Sequence, residues 1–74
     1  MSKALFNIQD QYLNQARKER VLVAVIMMSG DRLEGLIKSF DTFSVLLDSG
    51  GDTLFYKHAI ATMNSADGTF RLHQ

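Results

Sequence analysis

VLVAVIMMSGDRLEGLIKSFD, residues 21 to 41, decides the fold. Val21 to Met28 are eight consecutive apolar residues, rich in β-branched types and closed by Ser29, Gly30 and Asp31. Such a run predicts a buried strand that ends in a tight turn. Arg32 to Asp41 then alternates imperfectly, with Leu33, Gly35 and Ile37 on one face and Arg32, Glu34 and Lys38 on the other. This period of two makes the second half a strand paired back on the first. Gly35, in mid-strand, predicts a sharp bend or a close backbone approach.

The flanks extend this pattern. Downstream, Phe43, Val45 and Leu47 alternate with Ser44 and Asp48 before the turn residues Ser49, Gly50, Gly51 and Asp52. Two short apolar strands follow, Thr53 to Tyr56 and Ala59 to Met63, separated only by Lys57 and His58. Upstream, Leu5, Ile8, Tyr12 and Ala16 recur at helical spacing with Leu13 beside them. Asn7 is the expected N-cap, Asp10 lies in the first turn, and Arg17 and Lys18 lie in the last, so a helix is predicted over about residues 7–18. One helix and five strands over about 21–63, with no long crossover, predict a small antiparallel barrel capped by the helix. Residues 64–74 carry little pattern and are expected to form a partly ordered tail.

Seventy-four residues are expected to make a single domain, residues 1–74, and a domain of this size buries only about 60–65% of its unfolded surface. There are no cysteines, so disulfides and cysteine-based zinc sites are excluded, and oligomerisation remains as the stabilising device. No stretch reaches the roughly 20 apolar residues of a membrane span, nor does the start resemble a signal peptide, so a cytoplasmic protein without membrane contact is expected. Eight basic residues balance eight acidic ones, so any attraction for nucleic acid must be local.

Enzymatic chemistry finds no support in these residues. Two histidines, no cysteine and no G-x-S-x-G sequence leave no candidate nucleophile or acid–base pair. His58 and His73 do not make a metal site, and no metal or cofactor is expected. Asp10 and Asp41 are read as structural hydrogen-bonding groups.

Gln9, Asp10, Leu13, Asn14 and the run Ala16 to Val21, then Ser39 to Phe43, then Tyr56 to Ile60 (YKHAI), together resemble the bacterial Sm-like RNA chaperone family Hfq. The likeness covers about residues 8–63. It implies a strongly bent, open, SH3-like five-stranded barrel behind the helix, assembled into a homohexameric ring through edge strands. Such a ring would collect Lys57 and His58 around one axis, giving a chain of no net charge a positive pore. It also implies a function: binding uridine-rich single-stranded RNA and pairing small regulatory RNAs with messenger RNAs.

The resemblance assigns three surfaces. The proximal pore takes Gln9, Asp41, Thr42, Phe43, Tyr56, Lys57 and His58. Here Phe43 would stack on a base, Lys57 would donate to a base carbonyl, and His58 would contact phosphate or ribose. Thr42 replaces the family's usual glutamine, so weaker uridine selection is expected. Tyr56 ends an apolar strand, and packing in the core or between subunits is favoured for it over stacking. The lateral rim takes Asn14, Arg17, Lys18 and Arg20, with Phe40 as apolar neighbour; its cations would neutralise phosphates of annealing strands. The distal face takes Ile26, Gly30, Asp31, Arg32, Leu33 and Glu34. Ile26 stands where the family has an aromatic and Glu34 where it has an amide, so two carboxylates per subunit argue against A-rich RNA. Those departures and Thr42 leave a second reading, a ring-shaped scaffold for protein partners of unknown identity.

Overall fold

The structure, a computed structural model, describes residues 7–73. Leu5, assigned above to the helical stripe, and Gln74 lie outside the described residues. The order is α1 (Ile8–Lys18), β1 (Leu22–Met27), β2 (Arg32–Phe40), β3 (Ser44–Asp48), β4 (Asp52–Tyr56), a 3₁₀ turn (Lys57–Ala59) and β5 (Ile60–Ser65). The strands form one antiparallel sheet in the order β4-β3-β2-β1-β5. An N-terminal helix before five strands in a bent, open sheet is the architecture expected above.

Asn7 caps α1, its Oδ1 accepting from the Asp10 N–H at 2.8 Å. Leu13 and Ala16 are the buried residues of the helix, with Tyr12 half-buried beside them. Ile8 departs from the expected stripe: it is exposed and borders a groove between α1 and β5 with Ile60 and Met63. The core is built from Leu13 and Ala16 of the helix with Val23, Val25, Ile37, Val45, Leu47 and Phe55 from four of the strands. In the apolar run only Val23, Ala24 and Val25 are buried, while Leu22 and Met28 are exposed. The run is one strand with a buried centre.

Gly35 explains how the sheet curves. It pairs with Val23 across β1, and a Cβ placed on it would lie 2.4 Å from the Asp48 carbonyl oxygen of β3. No side chain fits, so β3 closes down on β2 at that point. Register breaks between Ile37 and Ser39 and between Ile26 and Met27 add further curvature.

The C-terminal end differs from expectation. Asn64 and Ser65, assigned to the tail, belong to β5 and pair with Ala24 and Val23. The residues beyond are laid back on α1: the Phe70 ring meets the Tyr12 ring edge-on, centroids 4.9 Å apart. Phe70 and Leu72 are half-buried while Thr69, Arg71 and His73 are exposed, an alternation that escaped the reading of a patternless tail. No described helix is long and apolar enough to cross a membrane.

Gly35→Ala should lower the unfolding free energy by about 1–3 kcal/mol, since the crowding is against backbone and outweighs the smaller gain from replacing a strand glycine. Urea unfolding followed by circular dichroism checks this; an unchanged midpoint would mean that β3 does not depend on the close approach.

Candidate functional site

Five of the seven proximal candidates converge. Gln9 from the first turn of α1, Thr42 and Phe43 from the β2–β3 connection, and Lys57 and His58 from the 3₁₀ turn line one shallow depression of about 300 Å³. The side chains come from three separate parts of the chain, and backbone contacts hold two of those parts together. The Lys57 N–H donates to the Phe43 carbonyl at 2.8 Å, tying turn to connection. Phe43 is 65% exposed, although the alternation had aligned it with the core residues Val45 and Leu47. It lies just before β3, where its ring is open to a ligand.

Asp41 shapes this connection. Its Oδ1 accepts from the Ser44 hydroxyl at 2.7 Å and from the N–H groups of Ser44 and Phe43 at 2.9 and 3.0 Å. The Ser44 hydroxyl, followed by the two N–H groups, holds the Asp41 carboxyl below the usual carboxylate range. Asp41 thus fixes the backbone that carries Phe43.

Lys57 corrects one expectation. Its side chain is only 8% exposed, its Nζ donates to the Asp10 Oδ1 at 2.7 Å, and the ammonium lies 5.3 Å from the centre of the Phe40 ring. Asp10 matches its charge within the subunit, so Lys57 is no source of free positive charge. One of its three ammonium protons is committed to Asp10. Phe40, expected beside the rim, is under Lys57. Tyr56, paired with Ser44 at the end of the edge strand β4, is exposed and does not line the depression. Packing in the subunit's own core, one of the two roles favoured for it, is thereby excluded.

The rim cations lie at the end of α1. Arg17 donates to Asn14 Oδ1 at 2.7 Å, one turn back. Arg17, Lys18 and Arg20 are all exposed. The helix stops in a hydrogen-bonded C-cap: the Arg20 N–H donates to Arg17 O and the Val21 N–H to Ala16 O, at 3.2 and 3.0 Å. The motif puts its turning residue in the left-handed region, where glycine is usual, yet Arg20 occupies it with φ 55°.

On the distal face, Ile26 is half-buried and paired with Arg32, Gly30 turns the hairpin at φ 96°, and Leu33 packs against the core. Arg32 is ion-paired with Glu34, and Asp31 accepts from the Ser29 hydroxyl at 3.0 Å. Arg32, the only cation among these six residues, is thus engaged with a carboxylate of the same strand. Three residues that join the parts escaped the sequence reading: Gln15, Phe70 and Arg71. Among the described residues no cluster of three or more His, Cys, Asp or Glu could hold a metal.

Residues 8–70 match the sequence model of the family described as Hfq protein. The RNA-binding protein Hfq of Clostridium perfringens is 49% identical over 67 residues, covering 89% of this chain and 84% of the relative. That of Exiguobacterium sibiricum is 55% identical over 65 residues, covering 86% and 78%. A crystal structure of Hfq, described as a pleiotropic translational regulator, superposes with a TM-score of 0.75 at 37% identity, covering 80% of this chain and 91% of the other. An Hfq protein from Anabaena shares the fold, with a TM-score of 0.71 at 23% identity over 77% of this chain and 93% of the other.

Two outcomes follow for the site. Asp10→Ala should destabilise the fold by about 2–4 kcal/mol because it strands a buried ammonium, and adding Lys57→Met should recover part of the loss. A double variant no more stable than Asp10→Ala alone would refute the pairing. Asp41, with its lowered pKa, contributes stability that is present above the unfolded carboxylate value near 4 and is lost as the pH falls through the lower folded value. Asp41→Asn should therefore flatten the acid limb of the stability profile below about pH 4; an unaltered limb would contradict this.

Proposed function

The chain belongs to the Hfq family, and from that membership we propose that it is an RNA-binding protein that holds uridine-rich single-stranded RNA at the Gln9, Thr42, Phe43, Lys57 and His58 depression. The observation that carries this reading is the convergence of an exposed aromatic ring, an imidazole and an ammonium on one concave surface. Phe43 supplies a stacking plane, and stacking is worth about 1–3 kcal/mol per base. Lys57, aimed by Asp10, offers its remaining protons to a uracil carbonyl. His58 meets ribose or phosphate. Thr42, too short for the reach of the family's usual glutamine, relaxes base selection.

We propose further that one Sm-like domain per subunit assembles into a homohexamer. β4 and β5 are the two edges of the sheet, and Leu54 and Tyr56 on β4 are exposed at 62% and 61%. Unpaired edges carrying exposed apolar side chains favour pairing with another copy. In the ring, Tyr56 packs between subunits and His58 is repeated around the axis. The rim residues Asn14, Arg17, Lys18 and Arg20 then screen phosphates of small regulatory RNAs and messenger RNAs as they pair in the cytoplasm. This is binding without bond chemistry. The distal face, with Arg32 held by Glu34, contributes little to A-rich RNA.

Phe43→Ala should weaken oligo-U binding by about 1–3 kcal/mol without unfolding the exposed site, as read by fluorescence anisotropy with native mass measurement of the assembly. Equal affinity in the variant, or no oligo-U binding by an intact ring, would overturn the assignment.

A further inference from the structure

The segment after β5 is turned back and held on the rim helix by three devices. The Ala66 N–H donates to Leu22 O at 2.8 Å, while the Phe70 N–H donates to the Ser65 hydroxyl at 3.0 Å, reversing the chain. Phe70 then packs on Tyr12. Last, the Gln15 side-chain amide clamps the backbone at two points, donating to Arg71 O and accepting from the His73 N–H, both at 2.9 Å. Arg71 is thereby carried to the end of α1. Together with Arg20 it lines a groove of about 570 Å³ between the helix exit and the returning segment.

We propose that this groove extends the rim, with Arg71 on the returning segment joining Arg20 to grip the phosphodiester backbone of an RNA strand that runs outward from it. The inference rests on the RNA-binding reading above. Arg71 is oriented before any ligand arrives: its Nη1 donates to the carbonyls of Gly68 and Phe70 at 2.9 and 3.1 Å. No described residue takes its Nε or Nη2 protons, the edge of the guanidinium suited to two phosphate oxygens. Arg20 adds an independent observation. A non-glycine residue in the left-handed region costs about 1–2 kcal/mol, and Arg20 retains that cost at the helix exit, where it lines the same groove.

The groove also sets the kind of ligand. Glu19 and Asp67 line it too, each engaged with a neighbour: Glu19 accepts from Gln15 at 3.1 Å, and Asp67 accepts from the Thr69 N–H and hydroxyl at 3.1 and 2.8 Å. Two carboxylates beside two guanidiniums do not concentrate a free phosphate dianion. A singly charged phosphodiester that is already tethered through the rest of its strand arrives at high effective concentration and needs only the local fork.

The test compares the wild-type ring with Arg71→Gln, Arg71→Lys and Gln15→Ala, using short oligo-U and a longer mixed-sequence single-stranded RNA at several salt concentrations. Arg71→Gln should reduce the magnitude of the slope of log affinity against log salt for the longer RNA by about 0.7. Short oligo-U should bind as in wild type, and Arg71→Lys should keep most of the slope. Gln15→Ala should reproduce the loss although no charge has changed, because the segment is released. A wild-type slope in Arg71→Gln or in Gln15→Ala would overturn this inference alone. Failure of the wild-type ring to bind either RNA would overturn the RNA-binding reading, and this inference with it.

Discussion

The Lys57 ammonium stands where the separate parts of this small fold meet. Its side chain reaches Asp10 of the helix, its charge faces the Phe40 ring of β2, and its backbone N–H holds the connection that carries Phe43. A sheet of five strands left open at both edges has no barrel closure to fix its ends. The buried pair supplies that fixation. Such a pair adds little net stability over an apolar one, but breaking it leaves a buried charge unmatched, so it specifies one arrangement of helix, connection and turn. The same arrangement brings Gln9, Phe43 and His58 to one depression.

Curvature is the second requirement. Gly35 lets β3 close on β2, while the antiparallel order sets the β2–β3 connection and the β4–β5 turn on the same end of the sheet. The strand order leaves β4 and β5 as edges, with apolar side chains exposed on β4. The strand order that gathers the parts of the depression thus also leaves free the edges through which a ring is proposed to form. Charge follows a comparable economy. With Lys57 answered by Asp10, Arg32 by Glu34 and Lys38 by Asp52, the Lys and Arg side chains left among the described residues to face a polyanion are those at the end of the helix, joined there by Arg71.

Much of this was legible in the sequence, and the failures share a cause. The strand order of events around Gly35, the cap at Asn7 and the turn at Gly30 are local properties, and each was read from a few neighbouring residues. The gathering of Gln9, Thr42, Phe43, Lys57 and His58 was reached only through the resemblance to a known family, because no spacing in the chain brings residues 9, 43 and 58 together. Long-range side-chain partners were missed: Asp10 was read as structural without its partner Lys57, 47 residues away. Gln15 gave no signal, since an amide on a helix surface has no pattern. Phe70 and Leu72 did alternate with polar neighbours, but five residues of period two with only two apolar positions are too few to distinguish a docked segment from a loop. Ile8 followed the helical period and is nonetheless exposed, since the period marks a face and not the extent of what packs on it.

The central claim is that RNA lies on the depression of Phe43, Lys57 and His58, and photocrosslinking tests it most directly. A short oligo-U carrying a photoreactive uridine would be irradiated on the assembled protein and the attached peptide mapped by mass spectrometry. The account predicts attachment within the β2–β3 connection and the 3₁₀ turn, at Phe43 or His58. Attachment confined to Ile26 through Glu34 would contradict it.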